Sequence, residues 1–369
     1  MSTANEPIRR SIEVEYWVVD DDGRLVEPDD LVDAAPGVER EFVEPLLEVK
    51  TTPHATTADL REELYDRVGR VVRRGEERGK RLVPLATPIH QEEIAEHAGE
   101  RTRVQNLVVG DDFEYVRHCA GTHVHVEQLP ERTIEQLNTF VALDPALALC
   151  NSAPYFRGQR LAAGARSKLY RRLAYADVPH QGWLWPYVED RAEWRRRLER
   201  RYEDFVHAAA DAGVDRRVVE RCFDPESVVW TPVQLRSEFG TVEWRSPDAA
   251  RPADVVRLAD RLASITERVR DVEVSIEGDA GRVGDEEIVL PEFDVVLGYV
   301  DAAIEDGLDS TAVTSYLERM GFDVEAYEPT THEMDDRGPV SRADARDLRL
   351  EHAARLADEV RREVALGDD

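Results

Sequence analysis

Residues 118–128, HCAGTHVHVEQ, place two histidines and a glutamate at every second position of a strand-like run. Successive side chains of a strand alternate faces, so His123, His125 and Glu127 share one side while Thr122, Val124 and Val126 share the other. The period recurs in three more stretches: Glu13 and Glu15 in IRRSIEVEYWVVD, Glu44 and Glu48 in EFVEPLLEVKT, Glu243 and Arg245 in FGTVEWRSPD. The intervening residues are apolar in IRRSIEVEYWVVD (Ile12, Val14, Tyr16) and in FGTVEWRSPD (Val242, Trp244), whereas Pro45 interrupts EFVEPLLEVKT.

A merely solvated sheet face would mix Thr, Ser, Lys and Gln; here carboxylates recur with two imidazoles and an arginine. Carboxylates crowded together repel unless something positive is held among them. Many oxygens and few thiolates suit Mg²⁺ or Mn²⁺, and Mg²⁺ commonly arrives with a nucleotide's phosphates. An HxH pair on a strand can equally hold zinc. On motif alone the histidines are zinc ligands, phosphate or substrate contacts in a magnesium site, or structural, and the surrounding carboxylates favour magnesium. The sequence has neither a GxxxxGK[ST] loop nor a GxGxxG after a strand, so phosphates would be held by metal, histidine and arginine. Arg157, Arg166, Arg236 and Arg245 are candidates for the arginine role.

The elements that must position these groups alternate strand and helix. A hairpin is expected over 8–20 and the DDDGRL turn, and an edge strand or bulge around Pro45. A helix starts at Thr57 with Leu60, Leu64, Val68 and Val71 at helical spacing, and another starts with Thr133 as its cap and runs toward Leu149. Residues 151–187 lack periodicity and read as a long structured substrate loop. An Arg-rich helix fills 189–212, two strands flank a Gly turn within 228–248, Pro252 opens a further helix, and 285–369 reads as mostly helical. This pattern predicts an α+β fold, a mainly antiparallel sheet with helices on one face and a polar catalytic face on the other, in a single domain over 1–369.

The chain has 369 residues, with 77 acidic against 48 basic side chains, for a net charge of −29. Only Lys50, Lys80 and Lys168 are lysines, the remaining cations being arginines. Acid spread along the whole chain repels itself unless salt screens it, which points to a halophile's cytoplasmic protein. It also argues against nucleic acid as a partner. No apolar run approaches the roughly 20 residues of a membrane span. Cys119, Cys150 and Cys222 are odd in number and form no CxxC pattern, so they read as small buried hydrophobes in a reducing compartment.

Taken in order, IEVEYWVVDDDGRL, EFVEPLLEVKT, GTHVHV, NSAPYFRG and FGTVEWRSPDA resemble the type 2 glutamate-cysteine ligase family of carboxylate-amine ligases, over about residues 10–250. The resemblance implies a glutamine synthetase-like catalytic sheet and an ATP- and Mg²⁺-dependent reaction, with Mn²⁺ as a substitute. In it the γ-carboxylate of glutamate is phosphorylated and the amine of cysteine, or of another acceptor, displaces phosphate from the acyl phosphate. It implies Glu13, Glu15, Glu48 and Glu243 as metal ligands, with Glu243 also catalytic, and His123 and His125 at nucleotide phosphate or metal. Arg245 would neutralise the transferring phosphoryl group. Asn151, Ser152 and Arg157 match a positioning loop, and Arg166 a later loop arginine. Two departures stand out. Val14 replaces the middle one of three consecutive acids, and Gln234 stands where an arginine is usual, with Arg236 as its nearest substitute. The competing readings are a zinc hydrolase using the HxH pair and a nucleotide or glutamate sensor. A homo-oligomer is compatible with the sequence.

Overall fold

A computed structural model of the chain describes residues 6–176, 178, 180–334 and 338–367. In chain order the strands are β1 (Arg10–Asp20), β2 (Val38–Arg40), β3 (Leu46–Lys50), β4 (Lys80–Val83) and β5 (Thr122–Glu127). A short hairpin follows, β6 (Tyr155–Phe156) with β7 (Gln159–Arg160), and then β8 (Val233–Arg236) and β9 (Thr241–Trp244). Among the described residues seven strands form one sheet in the order β2-β3-β1-β5-β9-β8, with β4 also paired to β1. Every pairing within it is antiparallel, as expected.

The even-numbered residues of β1 explain where the core sits. Ile12, Val14, Tyr16 and Val18 are fully buried and join Val49, Val124, Val126 and Val242 in the main core. Long helices cover that face: Thr57–Glu77 brings Leu60, Leu64 and Val68, and Pro252–Asp271 brings Val255, Leu258 and Leu262. Thr56 caps the first of them by accepting a hydrogen bond from the Asp59 amide at 3.1 Å, which satisfies a donor the helix leaves free. On the opposite face Trp17 and Val19 meet Val83, Leu85 and Tyr155 in a second core. The polar face is therefore confined to the Glu13–Glu15 end of β1.

Three local expectations are corrected. After β1 the chain turns at Gly23 (φ +72°) and returns through a single bridge, Val19 to Leu25, instead of a hairpin strand. Pro45 precedes β3, which is paired on both sides by β2 and β1 and so is not an edge. Thr133 begins the helix Thr133–Ala142 without capping it, since its hydroxyl donates to the Leu129 carbonyl. That helix gives way to a 3₁₀ stretch, Asp144–Cys150. The C-terminal part opens on a strand before its helices. The strand β12 (Glu287–Leu290) pairs with β10 (Glu273–Ile276) and β11 (Arg282–Val283) in a small sheet before the helices Phe293–Glu305, Thr311–Arg319 and Arg342–Gly367. A four-residue apolar run such as EIVL carries too little periodicity to separate strand from helix.

The described residues within 151–187 are irregular as read, apart from the short hairpin, one helical turn and a π turn. Cys119 and Cys150 are buried and Cys222 half-buried, and all three are free. Among the described residues no helix is long and apolar enough to cross a membrane.

Candidate active site

Strand register assembles the site. Glu13 stands opposite Lys50 on one side and His123 on the other, and Glu15 stands opposite Glu48. His125 faces Glu243, which in turn faces Gln234. Because side chains two apart share a face, these pairings place Glu13, Glu15, Glu48, Lys50, His123, His125 and Glu243 around one cavity of about 400 Å³. Irregular segments and helices close it with Glu41, Arg101, Arg166, Tyr170, Arg171 and Trp230.

At its floor two carboxylates and two imidazoles converge. His123 Nδ1 lies 3.3 Å from Glu13 Oε2 and 3.5 Å from Glu243 Oε1. His125 Nε2 lies 3.6 Å and 3.7 Å from the same two oxygens. His125 Nδ1 is 3.1 Å from the Thr241 hydroxyl, whereas its Nε2 is buried without a hydrogen-bond partner. An orphaned ring nitrogen between two carboxylates suits a cation, because a buried polar atom without a partner costs free energy. Three sets of side chains have donor atoms within 4.8 Å of one another: Glu13, His125 and Glu243; Glu13, Glu48 and His123; Glu15, Glu41 and Glu48. Each holds one imidazole at most and at least two carboxylates. Oxygen-rich sets fit Mg²⁺ or Mn²⁺ better.

The charges divide into two neighbourhoods. Burial opposes ionisation of Glu13, but His123 and His125 outweigh it and hold this carboxyl well below the usual range. Glu243 is likewise buried, yet Arg245, His125, His123 and Arg236 keep it at about 2. Glu41 is pushed up to about 8 by burial and then by Glu15. Glu48 is raised by burial, Glu41 and Glu13. One end of the cavity thus holds anions neutralised by protein cations, and the other holds acids short of positive charge. Lys50 is the cation at that second end, with Nζ 2.9 Å from Glu48 and 3.0 Å from Glu39.

The sequence model of glutamate–cysteine ligase family 2 matches residues 11–276, well over half of the chain. The chain belongs to this family. Two relatives from Bradyrhizobium sp., strains ORS 278 and BTAi1, both provisionally named glutamate–cysteine ligase 2, are 27% and 28% identical over 256 and 257 residues. Each alignment covers 66% of this chain, and the chain spans only 57% of the length of these relatives. The glutamate–cysteine ligase of Francisella tularensis, solved in complex with AMP, shares the fold with a TM-score of 0.60 at 12% identity, over 97% of this chain and 89% of that one. The bifunctional glutathione synthetase of Pasteurella multocida gives 0.53 at 13% identity, over 95% of this chain and 53% of that one.

For a member of the glutamate–cysteine ligase family, the sequence-predicted residues fall into two groups. Glu13, Glu15, Glu48, His123, His125, Arg166, Arg236, Glu243 and Arg245 all border the cavity. Arg245 Nε and Arg236 Nη1 each lie 3.5 Å from a Glu243 oxygen. Arg166 donates to the Ser246 carbonyl at 3.1 Å; it lies against Gly121, where any Cβ would collide with its guanidinium. Asn151, Ser152 and Arg157 do not border the cavity. Asn151 Nδ2 donates to the Ala303 carbonyl, Ser152 is held by Asp248 and Ala86, and Arg157 pairs with Glu114. These side chains brace the loop's backbone. Glu44 and Glu127 also stay outside the cavity.

The two family departures acquire a geometry. Val14 is fully buried on the packing face, so an acid there would not reach the cavity. Gln234 does not border the cavity either; its amide donates to Glu243 Oε2 at 2.8 Å, while Arg236 supplies the nearby cation. Sequence reasoning missed Glu41, Lys50, Arg101 and Arg171. Lys50 shares the two-residue parity of Glu48 and was the readable one. Arg171 is buried against Asp144 at 2.5 Å, and Asp144 also accepts from Trp244 Nε1 at 2.9 Å.

Proposed function

We propose that this chain joins the γ-carboxylate of glutamate to an amine, with cysteine as the first candidate acceptor, through an acyl phosphate formed from ATP. The observation that carries the reading is the His125 Nε2 orphan facing Glu13 and Glu243, a cation seat on a family ligase sheet. Glu13, Glu243 and His125 would hold one divalent ion, with Glu48, Glu15 and Glu41 offering further oxygens. Bound there, Mg²⁺ would draw negative charge off phosphate oxygens.

The chain's own residues supply the rest. Phosphoryl transfer asks chiefly for fixed positive charge and alignment. Arg245 and Arg236 are held by Glu243 in fixed positions beside the cavity, ready to take up charge on a transferring phosphoryl group. Gln234 orients Glu243 from behind. Arg166 also borders the cavity, with a guanidinium suited to a substrate carboxylate, whereas Arg171 is tied to Asp144. The whole chain would act as one unit in the cytoplasm at high salt.

The test is ADP release in multimolar KCl with Mg²⁺, ATP and glutamate, comparing cysteine, a panel of other amino acids and no acceptor. Release that requires both glutamate and an acceptor is the expected result, and the acceptor that supports it names the product. ADP release indifferent to glutamate and acceptor, or none in any mixture, would overturn the reading.

A further inference from the structure

Phe239 lies in the turn between β8 and β9, just before Gly240, whose φ of +64° closes the turn. It is 55% exposed, the most exposed large apolar side chain among the described residues, and it borders the active-site cavity. A phenyl ring gains nothing from water, and two functional side chains hold this one in place. The Arg236 guanidinium carbon lies 5.5 Å from its centroid, and the His125 ring meets it edge-on at 5.8 Å and 83°.

The other aromatic rings around the cavity are already engaged. Phe42 packs on Phe113 at 5.7 Å, and Tyr175 packs on Tyr170 and on Trp230, each at 5.4 Å. Phe239 alone combines an uncovered surface with adjacent cations, Arg236 beside it and Arg245 reached through Glu243. A flat apolar surface next to fixed positive charge fits a ligand that joins a planar base to a polyanion. Base–aromatic stacking is worth enough to hold one end of such a ligand, while the cations and the ion seat take the other.

We propose that Phe239 is the stacking platform for the base of the nucleotide, with the phosphates directed toward Arg236 and His125. The inference rests on the ligase reading and deepens it. Stacking tolerates any base, so Phe239 fixes the position of the nucleotide without choosing its identity.

The experiment measures equilibrium binding of ATP, GTP and inorganic tripolyphosphate, each with Mg²⁺, to the wild type, Phe239→Ala and Phe239→Trp. Phe239→Ala should raise Kd for ATP and GTP about tenfold and leave tripolyphosphate within about twofold, with Phe239→Trp restoring nucleotide affinity. Its melting curve should match wild type, because the ring is exposed. Equal weakening of all three ligands would mean the ring merely props Arg236 and His125, and unchanged binding of all three would mean it does neither; both outcomes overturn the inference alone. If wild type bound neither ATP nor tripolyphosphate, the ligase reading itself would fall.

Discussion

The two faces of the central sheet use one backbone for opposite purposes. On β1, Glu13 and Glu15 point into the cavity while Ile12 and Val14, their immediate neighbours, are sealed in the main core. The packing face lowers its free energy by removing apolar surface from water. The cavity face does the reverse, crowding Glu15, Glu41 and Glu48 until burial and mutual repulsion push Glu41 up to about 8. Between residues 12 and 15 what distinguishes them is the parity of a residue number. Function here is concentrated strain on one side of a sheet that the other side holds together.

The strongest way to break this contrast is to move a charge across it. Val14→Glu restores the acidic triplet of the family pattern but buries a carboxylate with no partner. We expect a loss of more than about 4 kcal/mol of stability and no gain in turnover, read by denaturant unfolding and ADP release. A folded, more active variant would show that the faces are not separate. Next comes Glu48→Gln, expected to lower kcat roughly 10²–10³-fold. Its metal-free melting temperature should equal or exceed wild type, since the substitution relieves repulsion with Glu41 and Glu13. A large drop in melting temperature would assign Glu48 a structural role.

Gln234→Leu tests the support behind the cavity. Losing the amide that holds Glu243 Oε2 should weaken Mn²⁺ binding about 10- to 100-fold, with the circular dichroism spectrum unchanged. The smallest effect concerns acid stability away from both faces. His352 is buried on the helix Arg342–Gly367, and burial, followed by Arg355, lowers its pKa to about 4. The unfolded imidazole takes up a proton near 6.5 and the folded one resists until about 4, so stability should fall by about 1–2 kcal/mol as pH drops through that window. His352→Gln should flatten the slope; an unchanged slope would trace the acid loss to other groups.

Much of the site was legible because a strand imposes a strict period of two. Glu13, Glu15, His123, His125, Glu243 and Arg245 could be assigned to one face by counting. The same rule failed at Pro45. It breaks the run before β3, so counting back from Glu48 selects Glu44, whereas Glu41 is the residue that reaches the cavity. Arg101 and Arg171 come from a helix and from a π turn, whose approach to the sheet follows from tertiary packing and leaves no local period. Asn151 and Ser152 mislead for a related reason. They sit in a motif suited to substrate contact, but their hydrogen bonds go to Ala303, Ala86 and Asp248. Motif position fixes where a loop begins, and only packing decides which of its side chains face the cavity.

Lys50 carries one more consequence. Its ammonium, kept charged against burial by Glu48, sits 2.9 Å from one oxygen of a carboxylate that a divalent ion would also use. The site therefore contains a tethered competitor, and an ion that engages Glu48 would share that carboxylate with it or displace it. Under the proposed function, that rivalry would set an activation threshold, a Mg²⁺ concentration below which turnover stays low. Lys50→Met should move the half-activating Mg²⁺ concentration downward, and an upward move would show that the ammonium helps to seat the ion.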